Sequence, residues 1–334
     1  MKMPPSDSPS PAFTHTYPMP GGRQSAVGAF EFACPQCHSP LQKISPNQLR
    51  CAQDGGNYPR IDGIWRLLGP GRLTYFQQFI QEYETVRKSE GRGSQDAKYY
   101  RALPYVDFSG RLSRDWRIRA RSYQALIGRF LAPLEKLRNR PLKILDVGAG
   151  NCWLSNRLAR RGHLVASVDL LTNSADGLGS YIFYNTQFTP VQGEFDCLPF
   201  QNAQADLLIF NASLHYSTGF ETTLGEAQRV VRPDGQLVIL DTPIYHTPDS
   251  GRKMVSERER QFSERYGFPS NALPSENFLT HERLEGLAKS LGIHWQIIVP
   301  DYGLGWKLSR LRNRLRARRE PAEFLLLIGH PSSS

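Results

Sequence analysis

The feature that most constrains the fold is an alternation of apolar runs and helical patterns that begins at Leu142. Five runs are short enough to be strands: LKILDV, HLVASVDL, FTPVQ, ADLLIF and GQLVILD. Parallel strands need long crossovers, which are usually helices, so the alternation predicts a mostly parallel sheet with helices on both faces. A helical pattern over 281–291 and the runs HWQIIV and EFLLLIG complete it. We therefore predict an α/β fold with a seven-stranded sheet, whose last two strands pair antiparallel at its edge.

A short segment upstream of this pattern carries three of the five cysteines of the chain. Cys34 and Cys37 have two residues between them, which is the spacing of a structural zinc knuckle. A second knuckle begins at Cys51, but its partner position holds Asp54. Zinc accepts a carboxylate oxygen, so these four residues are candidate metal ligands, although softer thiolates would bind zinc more tightly. The alternative is a unit that keeps its fold without metal.

The rest of the chain divides by its local composition. The first residues are rich in Pro, Ser and Gly and lack apolar periodicity, which predicts a disordered tail. Two helical patterns precede the sheet, and Pro133 is expected to kink or end the second one. The predicted units are a tail at 1–28, a cysteine unit at 29–68, a helical linker or lid at 69–137, a ligand-binding core at 138–245, a polar cap insertion at 246–280, and a last helix with edge strands at 281–334.

Composition adds expectations about compartment and partners. We find neither a signal-peptide pattern nor an apolar run long enough for a transmembrane segment, which favours a cytoplasmic protein whose cysteines bind metal rather than form disulfides. The net charge of +10 favours an anionic partner. Basic residues are densest at 307–319, where leucines recur on one helical stripe. We expect this segment to bind RNA or an anionic membrane surface, and a solvated helix face is the alternative.

The segment KILDVGAGNCWLS predicts a strand, a glycine turn and a helix. Gly148 and Gly150 allow a sharp turn and a close approach of the backbone to a ligand, in front of free N–H groups at the helix start. The segment lacks the Gly-Lys-Ser/Thr of a phosphate-binding P-loop. Asp169, about 20 residues further on at the end of the next strand, is suited to accept both ribose hydroxyls of a nucleoside. A helix cap is the alternative role for Asp169.

Two further strand ends bring polar residues to the same edge of the sheet. In VQGEFDCLPF, Glu194 or Asp196 would accept from an adenine amino group, and Phe195 would line the pocket of the base. In FNASLHYS, Asn211, His215 and Tyr216 follow the fourth strand. Open α/β sheets bind their ligands in the crevice at this edge.

These motifs together resemble the class I S-adenosylmethionine-dependent methyltransferases, in the type 11-like branch with a D-x-G-x-G first motif and an LPF third motif. The segment RVVRPDGQLVILD is similar to a later motif of that branch. The resemblance implies a Rossmann-like fold and S-adenosylmethionine as cofactor. It also implies roles for residues, with Asp146, Gly148 and Gly150 around the methionine part, Asp169 at the ribose, Glu194 and Phe195 at the adenine, and Asn211 beside the sulfonium. The chain departs from the family at Cys152, where a third glycine is frequent, and at Glu194, where Asp is frequent.

Two other functions compete with methyl transfer. A nicotinamide dehydrogenase would also have a glycine turn and an acidic residue, but it leaves the EFDCLPF and RPDGQLVILD segments unexplained. A non-catalytic protein that binds RNA or a partner through a methyltransferase fold is the second alternative. The cysteine unit resembles a degenerate form of the zinc ribbons that accompany RNA and translation-factor methyltransferases, because its YPRIDGIWRLL end is similar to theirs.

The acceptor of the methyl group is not identified by these motifs. His215 is the candidate general base and Tyr216 a candidate neighbour in the catalytic site, while the alternative is that both only shape the pocket. Tyr99 and Tyr100 are candidates for a lid over the cofactor, with packing as the alternative. The insertion 246–280 is expected to roof the acceptor site. Small molecules, lipid-linked metabolites and RNA all remain candidate acceptors.

Overall fold

The computed structural model of the protein describes residues 30–303 and 319–331. Fourteen strands are assigned in these ranges: β1 Leu41–Ser45, β2 Gln48–Cys51, β3 Asn57–Ile61, β4 Ile64–Arg66, β5 Lys143–Val147, β6 Leu164–Asp169, β7 Thr189–Gln192, β8 Ala205–Asn211, β9 Val231–Leu240, β10 Pro243–Tyr245, β11 Leu279–Thr280, β12 Ile293–Ile298, β13 Glu323–Phe324 and β14 Leu326–Pro331. Eight α-helices accompany them: α1 Arg72–Ser89, α2 Ala97–Ala102, α3 Ser113–Leu126, α4 Ala132–Arg138, α5 Trp153–Arg160, α6 Phe220–Val230, α7 Pro248–Tyr266 and α8 His281–Leu291.

Seven neighbouring strands of an eleven-stranded sheet follow the order β7-β6-β5-β8-β9-β14-β12, with β12 at the edge of the sheet. The first five pair parallel, whereas β14 runs antiparallel to both β9 and β12. Adjacent residues of β5 point to opposite faces: Ile144 packs in one apolar cluster with residues of α3 and α5, and Leu145 in another with residues of α6 and α8. The predicted α/β, Rossmann-like fold with helices on both faces is therefore confirmed.

The cysteine unit extends this sheet and is not a separate body. Its strands β1 to β4 form an antiparallel meander, and β4 then pairs parallel with β7, with Trp65 opposite Val191. Trp65 and Leu67 are buried in the same apolar cluster as Val191 and Phe200. The sequence pattern gave no sign of this junction, because β4 and β7 are more than a hundred residues apart.

The helical region before the sheet is more broken than the periodicity predicts. The helix α1 ends at Ser89, and a segment that contains two glycines in left-handed conformation, Gly91 and Gly93, separates it from α2. The second pattern is one rod, in which a π-helical turn at Ile127–Leu131 joins α3 to α4. Pro133 cannot donate an N–H and crowds the preceding turn, and the wider π turn accommodates it without ending the rod.

A second sheet has three strands in the order β11-β10-β13, and its first strand in the chain, β10, follows β9. The helix α7 leads from β10 through the region of the predicted cap insertion. The predicted disordered tail and all of the basic segment except Arg319 lie outside the described residues. Within the described ranges, we find no helix with the length and apolar character needed to cross a bilayer. The predicted limits of the domains stay predictions.

Candidate active site

The glycine turn between β5 and α5 adopts a conformation that side chains disfavour. Gly148 has a φ of 75°, and a Cβ placed on it would lie 2.2 Å from the Cβ of Ser213. Gly150 has a φ of 51° and Cys152 a φ of 60°. Cys152 is buried and adopts the left-handed region, so a glycine at this position would relieve backbone strain as well as allow close packing. The sequence pattern showed only the packing reason.

Asp169 lies at the end of β6, directly beside this turn. Its Oδ2 accepts the backbone N–H of Gly150 at 2.8 Å, and its Oδ1 accepts that of Leu171 at 2.8 Å. Burial raises the pKa of this carboxyl to about 6, and the two N–H donors partly oppose the rise. Each oxygen keeps further acceptor capacity, because an ionised carboxylate has about four lone-pair sites. Two neighbouring hydroxyl groups therefore fit this carboxylate.

Asp146 lies under the turn, not in the cleft. It is 1% exposed, and its Oδ2 accepts the hydroxyl of Ser155 at 2.6 Å. Its Oδ1 has no hydrogen-bond partner among the described residues. Burial raises the pKa of Asp146 to about 7. This carboxyl supports the turn from below, and Gly148 and Gly150 form the surface that a ligand meets.

The end of β7 carries Glu194 and Phe195 to the cleft. Glu194 is buried and in a bidentate ion pair with Arg72, whose Nε donates to Oε1 at 2.8 Å and to Oε2 at 3.0 Å. The ring of Phe195 packs edge-on against Phe210, at 5.7 Å between centroids. Asp196, the other acidic candidate, accepts the hydroxyl of Thr223. A nucleobase bound in this part of the cleft would have to donate hydrogen bonds to Glu194 alongside those from Arg72.

The helices α1 and α3 form the opposite wall of the cleft. Phe76, Phe79, Tyr83 and Arg87 line it from α1, and Trp116 and Arg119 from α3. Arg87 forms an ion pair with Asp176, which also lines the cleft. Tyr99 and Tyr100 do not form a lid, because both are buried in packing contacts. The helical periodicity located the helices, but nothing in it shows which of their faces meets the ends of the strands.

The cleft continues past Asn211 towards His215 and Tyr216. The Oδ1 of Asn211 is buried and has no hydrogen-bond partner among the described residues. The ring of Tyr216 contacts those of Tyr83 and Phe79, at 5.7 and 6.0 Å between centroids. Thus the sequence-predicted residues at the ends of β5, β6, β7 and β8 come together along one edge, with Asp146 beneath them.

His215 lies in the part of the cleft that Arg119 and Arg258 also line. The pKa of His215 is lowered to about 3, mainly by burial and in addition by the charges of Arg258 and Arg119. The Nδ1 of His215 is buried without a hydrogen-bond partner among the described residues. An imidazole of this kind is neutral and a weak base.

The two arginines differ from the others in the cleft. Arg258 of α7 donates to the Oδ1 of Asn277 at 2.7 Å, and its buried Nε has no partner among the described residues. Arg119 lies over the ring of Trp116, 5.5 Å from its centroid, and the structure shows no ion pair for it in the described ranges. The buried carboxyl of Asp241 is close enough to Arg119 to interact with it electrostatically. This part of the cleft therefore has an excess of positive charge.

The four candidate zinc ligands lie close together at the edge of the N-terminal meander. The Sγ atoms of Cys37 and Cys51 are 3.5 Å apart, and the Sγ of Cys34 donates to the Oδ2 of Asp54 at 3.0 Å. All four ligand atoms lie within 4.8 Å of one another. The thiolate sulfurs of a tetrahedral zinc site lie about 3.8 Å apart, because each Zn–S bond is about 2.3 Å long. The spacing suits zinc.

Comparison with known proteins agrees with this geometry. A family described as "Methyltransferase domain" matches residues 145–239, which include the glycine turn, Asp169 and the ends of β7 and β8. A solved structure of 1,6-didemethyltoxoflavin-N1-methyltransferase from Burkholderia thailandensis is 14% identical, with a TM-score of 0.43, over 86% of this chain and 97% of that one.

Curated relatives are similar over shorter stretches. Malonyl-(acyl-carrier protein) O-methyltransferase 1 of Coxiella burnetii is 30% identical over 34% of this chain and 39% of the relative. The enzyme of the same name from Gallionella capsiferriformans is 24% identical over 60% of this chain and 80% of the relative. In the first three relatives the chain spans 36 to 44% of their length. The strand order, the glycine turn and the family match together show that this chain carries a methyltransferase domain of the class I, S-adenosylmethionine-dependent type.

Proposed function

We propose that the protein transfers the methyl group of S-adenosylmethionine to an acceptor that carries a negative charge. The proposal that the cofactor is S-adenosylmethionine rests on the set of polar groups along the cleft. Asp169 retains acceptor capacity for two hydroxyls, and Asn211 offers a buried oxygen without a partner among the described residues. The turn at Gly148 has no space for a side chain. Asp169 fits the ribose hydroxyls, and Asn211 fits the aminoacyl part of the cofactor. The turn at Gly148 fits a close contact between the backbone and the cofactor.

The chain contributes binding and alignment. When bound, S-adenosylmethionine supplies an electrophilic methyl group on its sulfonium. Asp169 orients the ribose, and Phe195 covers one side of the base. Tyr216, with Tyr83 and Phe79, separates the cofactor part of the cleft from the part that holds His215. Alignment in such a closed site provides much of the rate of an in-line displacement.

The acceptor proposed here is an anion, and a carboxylate fits best. His215 is too weak a base to remove a proton from an alcohol, since its pKa is lowered to about 3. A carboxylate oxygen needs no base, because it is already ionised at neutral pH. Arg119 and Arg258 line the same part of the cleft as His215 and would hold such an anion, while the charge of Asp241 opposes that of Arg119. The names of the curated relatives, malonyl-(acyl-carrier protein) O-methyltransferases, are compatible with this acceptor class.

Calorimetric titration with S-adenosylmethionine tests the cofactor, and we expect binding at one site per chain. If a folded preparation does not bind S-adenosylmethionine, methyl transfer is contradicted and the non-catalytic alternative is favoured. Incubation with methyl-labelled cofactor and cell extract, fractionated into RNA, protein, lipid and small molecules, tests the acceptor. We expect base-labile methyl ester label in an acidic metabolite or acyl carrier. Label confined to RNA would contradict the carboxylate proposal and leave methyl transfer intact.

We also propose that Cys34, Cys37, Cys51 and Asp54 bind a structural zinc ion. The support is their spacing in the folded chain and the burial of Cys34 and Cys51. We expect protein purified without a histidine tag to retain zinc through gel filtration. The variant Cys37→Ser should lose that zinc, and Asp54→Asn should bind it more weakly. Equal zinc content in Cys37→Ser and the wild-type protein would contradict the proposal.

A further inference from the structure

A second group of metal-ligating side chains lies away from the cleft and from the cysteine cluster. His246, His281 and Glu323 each offer one ligand atom, and the three atoms lie within 4.8 Å of one another. The Nε2 of His281 is 3.2 Å from the Oε2 of Glu323, and the Nε2 of His246 is 3.7 Å from its Oε1. We propose that these residues form a binding site for a divalent transition-metal ion such as zinc, separate from the cofactor part of the cleft.

The fold brings the three residues together from distant parts of the chain. His246 directly follows β10, His281 begins α8 directly after β11, and Glu323 belongs to β13. In the small sheet, Tyr245 pairs with Thr280 and Ile244 with Glu323. The next residues in the parallel register are therefore His246 and His281, and the carboxylate of Glu323 lies diagonally across from His246 on the same face. Backbone pairing thus sets the positions of all three ligands.

The distances agree with a shared ion. With metal–ligand bonds of about 2.1 Å, ligand atoms in a tetrahedral site lie about 3.4 Å apart. The separations of 3.2 Å to the Oε2 of Glu323 and 3.7 Å to its Oε1 are near that value, and because they involve different oxygens, the carboxylate would use both oxygens or rotate to use one. Imidazole nitrogen together with carboxylate oxygen is a donor set that suits zinc, nickel and iron.

The two imidazole rings lie next to each other. They are stacked, with centroids 4.7 Å apart and an angle of 20° between planes. Imidazole lone pairs lie in the ring planes, and nearly parallel planes do not meet at a nearby point, so binding of one ion by both rings requires the rings to rotate about their Cβ–Cγ bonds. The side chains of His246, His281 and Glu323 are 62, 32 and 22% exposed. Solvent therefore has access to the site and can supply the remaining ligands.

The proposed ion would brace one wall of the acceptor part of the cleft. Alternate residues of the same strands face that cleft, among them Tyr245 of β10 and Phe324 of β13. His246 and Glu323 lie on the other face. An ion held there ties β10, β13 and the start of α8 together, and so limits how far this wall can open.

Equilibrium dialysis of the full chain against zinc tests the proposal. We expect His281→Ala, His246→Ala and Glu323→Gln each to bind one equivalent fewer than the wild-type protein. The exposed His294 on β12 provides a matched control, and His294→Ala should bind as many equivalents as the wild type. The experiment compares the zinc equivalents bound by each variant with those bound by the wild-type protein. Metal held by the cysteine cluster is present in both and cancels in this comparison.

The outcomes separate this site from the others. Equal zinc uptake by the wild type, His281→Ala and Glu323→Gln would overturn the proposal. The conservative Glu323→Gln variant keeps the shape of the side chain, so a loss of uptake there, with an unchanged far-ultraviolet circular dichroism spectrum, supports it without a folding defect. Loss of uptake in His294→Ala as well would mean nonspecific binding to exposed histidines and would also overturn it. Binding of S-adenosylmethionine should be the same in all these variants.

Discussion

At the scale of single residues, Asp169 connects burial with cofactor recognition. Its pKa is raised to about 6, so the carboxylate that accepts hydroxyls becomes protonated as the pH falls through that value. We predict that the affinity for S-adenosylmethionine falls about tenfold between pH 7 and pH 5, because only about a tenth of a group with this pKa is ionised at pH 5. Calorimetric titration at several pH values measures this.

The control for this prediction is Asp169→Asn. It should bind about 10 to 100 times more weakly at pH 7, the loss expected for hydrogen bonds to a charged group, and its affinity should not change with pH in this range. A pH dependence that persists in Asp169→Asn would assign the effect to another group, of which the buried Asp146 is the first candidate.

Gly148 shows how close packing and backbone conformation combine at one position. We predict that Gly148→Ala lowers the free energy of unfolding more than Gly110→Ala does. Both glycines have positive φ, but a Cβ at Gly110 has nothing within 4 Å, whereas one at Gly148 meets Ser213. The left-handed conformation costs about 1–2 kcal/mol in either variant. Overpacking adds about 1–3 kcal/mol at Gly148 alone. Urea denaturation measures the difference, and equal losses would contradict this explanation.

Residues of this kind could be predicted from the sequence because their signals are local. Gly148 and Asp169 both stand at strand ends, where a turn and a following strand can be recognised within about 20 residues. The opposite wall was missed, since Arg119 and Tyr83 lie on helices whose contacts are set by tertiary packing. Their charge and aromatic character were visible, but not their position beside His215.

At the scale of secondary-structure elements, the ion pair of Arg72 and Glu194 ties the start of α1 to the end of β7. Glu194 is only 7% exposed, so loss of its partner leaves a buried carboxylate without compensation. We predict that Arg72→Gln lowers the free energy of unfolding by about 2 kcal/mol.

A matched control is Arg252→Gln, because Arg252 and its partner Asp249 are both more than half exposed. Its effect should stay below about 0.5 kcal/mol, as is usual for surface ion pairs. Similar losses in the two variants, measured in urea, would argue against a structural role for the pair at the cleft.

Elements were easier to predict than the connections between them. The apolar runs predicted seven strands of the large sheet, five of them parallel and the last two antiparallel, because each run has its own periodicity. The pairing of β4 with β7 and the small sheet of β10, β11 and β13 could not be read from periodicity, since two- and three-residue strands have too few residues to show a pattern.

At the scale of the whole molecule, the N-terminal meander and the methyltransferase domain share one core. Removal of residues 1–68 would uncover the edge of β7 and the apolar surface that Trp65 and Leu67 cover. We predict that this truncated protein is insoluble or unfolds without a cooperative transition. Removal of residues 1–28, predicted to be disordered, should leave the melting temperature unchanged. Differential scanning calorimetry compares them, and a normal transition for the larger deletion would contradict the shared core.

The position of β14 has a consequence for synthesis on the ribosome. β14 lies between β9 and β12 but follows both in the chain, and in the described ranges β12 pairs with no other strand. During translation, β12 therefore leaves the exit tunnel before β14, which joins it to the sheet. Until β14 emerges, one edge of β9 stays unpaired. Exposed strand edges in nascent chains are sites of aggregation. Pairing of β14 with β9 and β12 therefore cannot be completed until residue 331 has emerged.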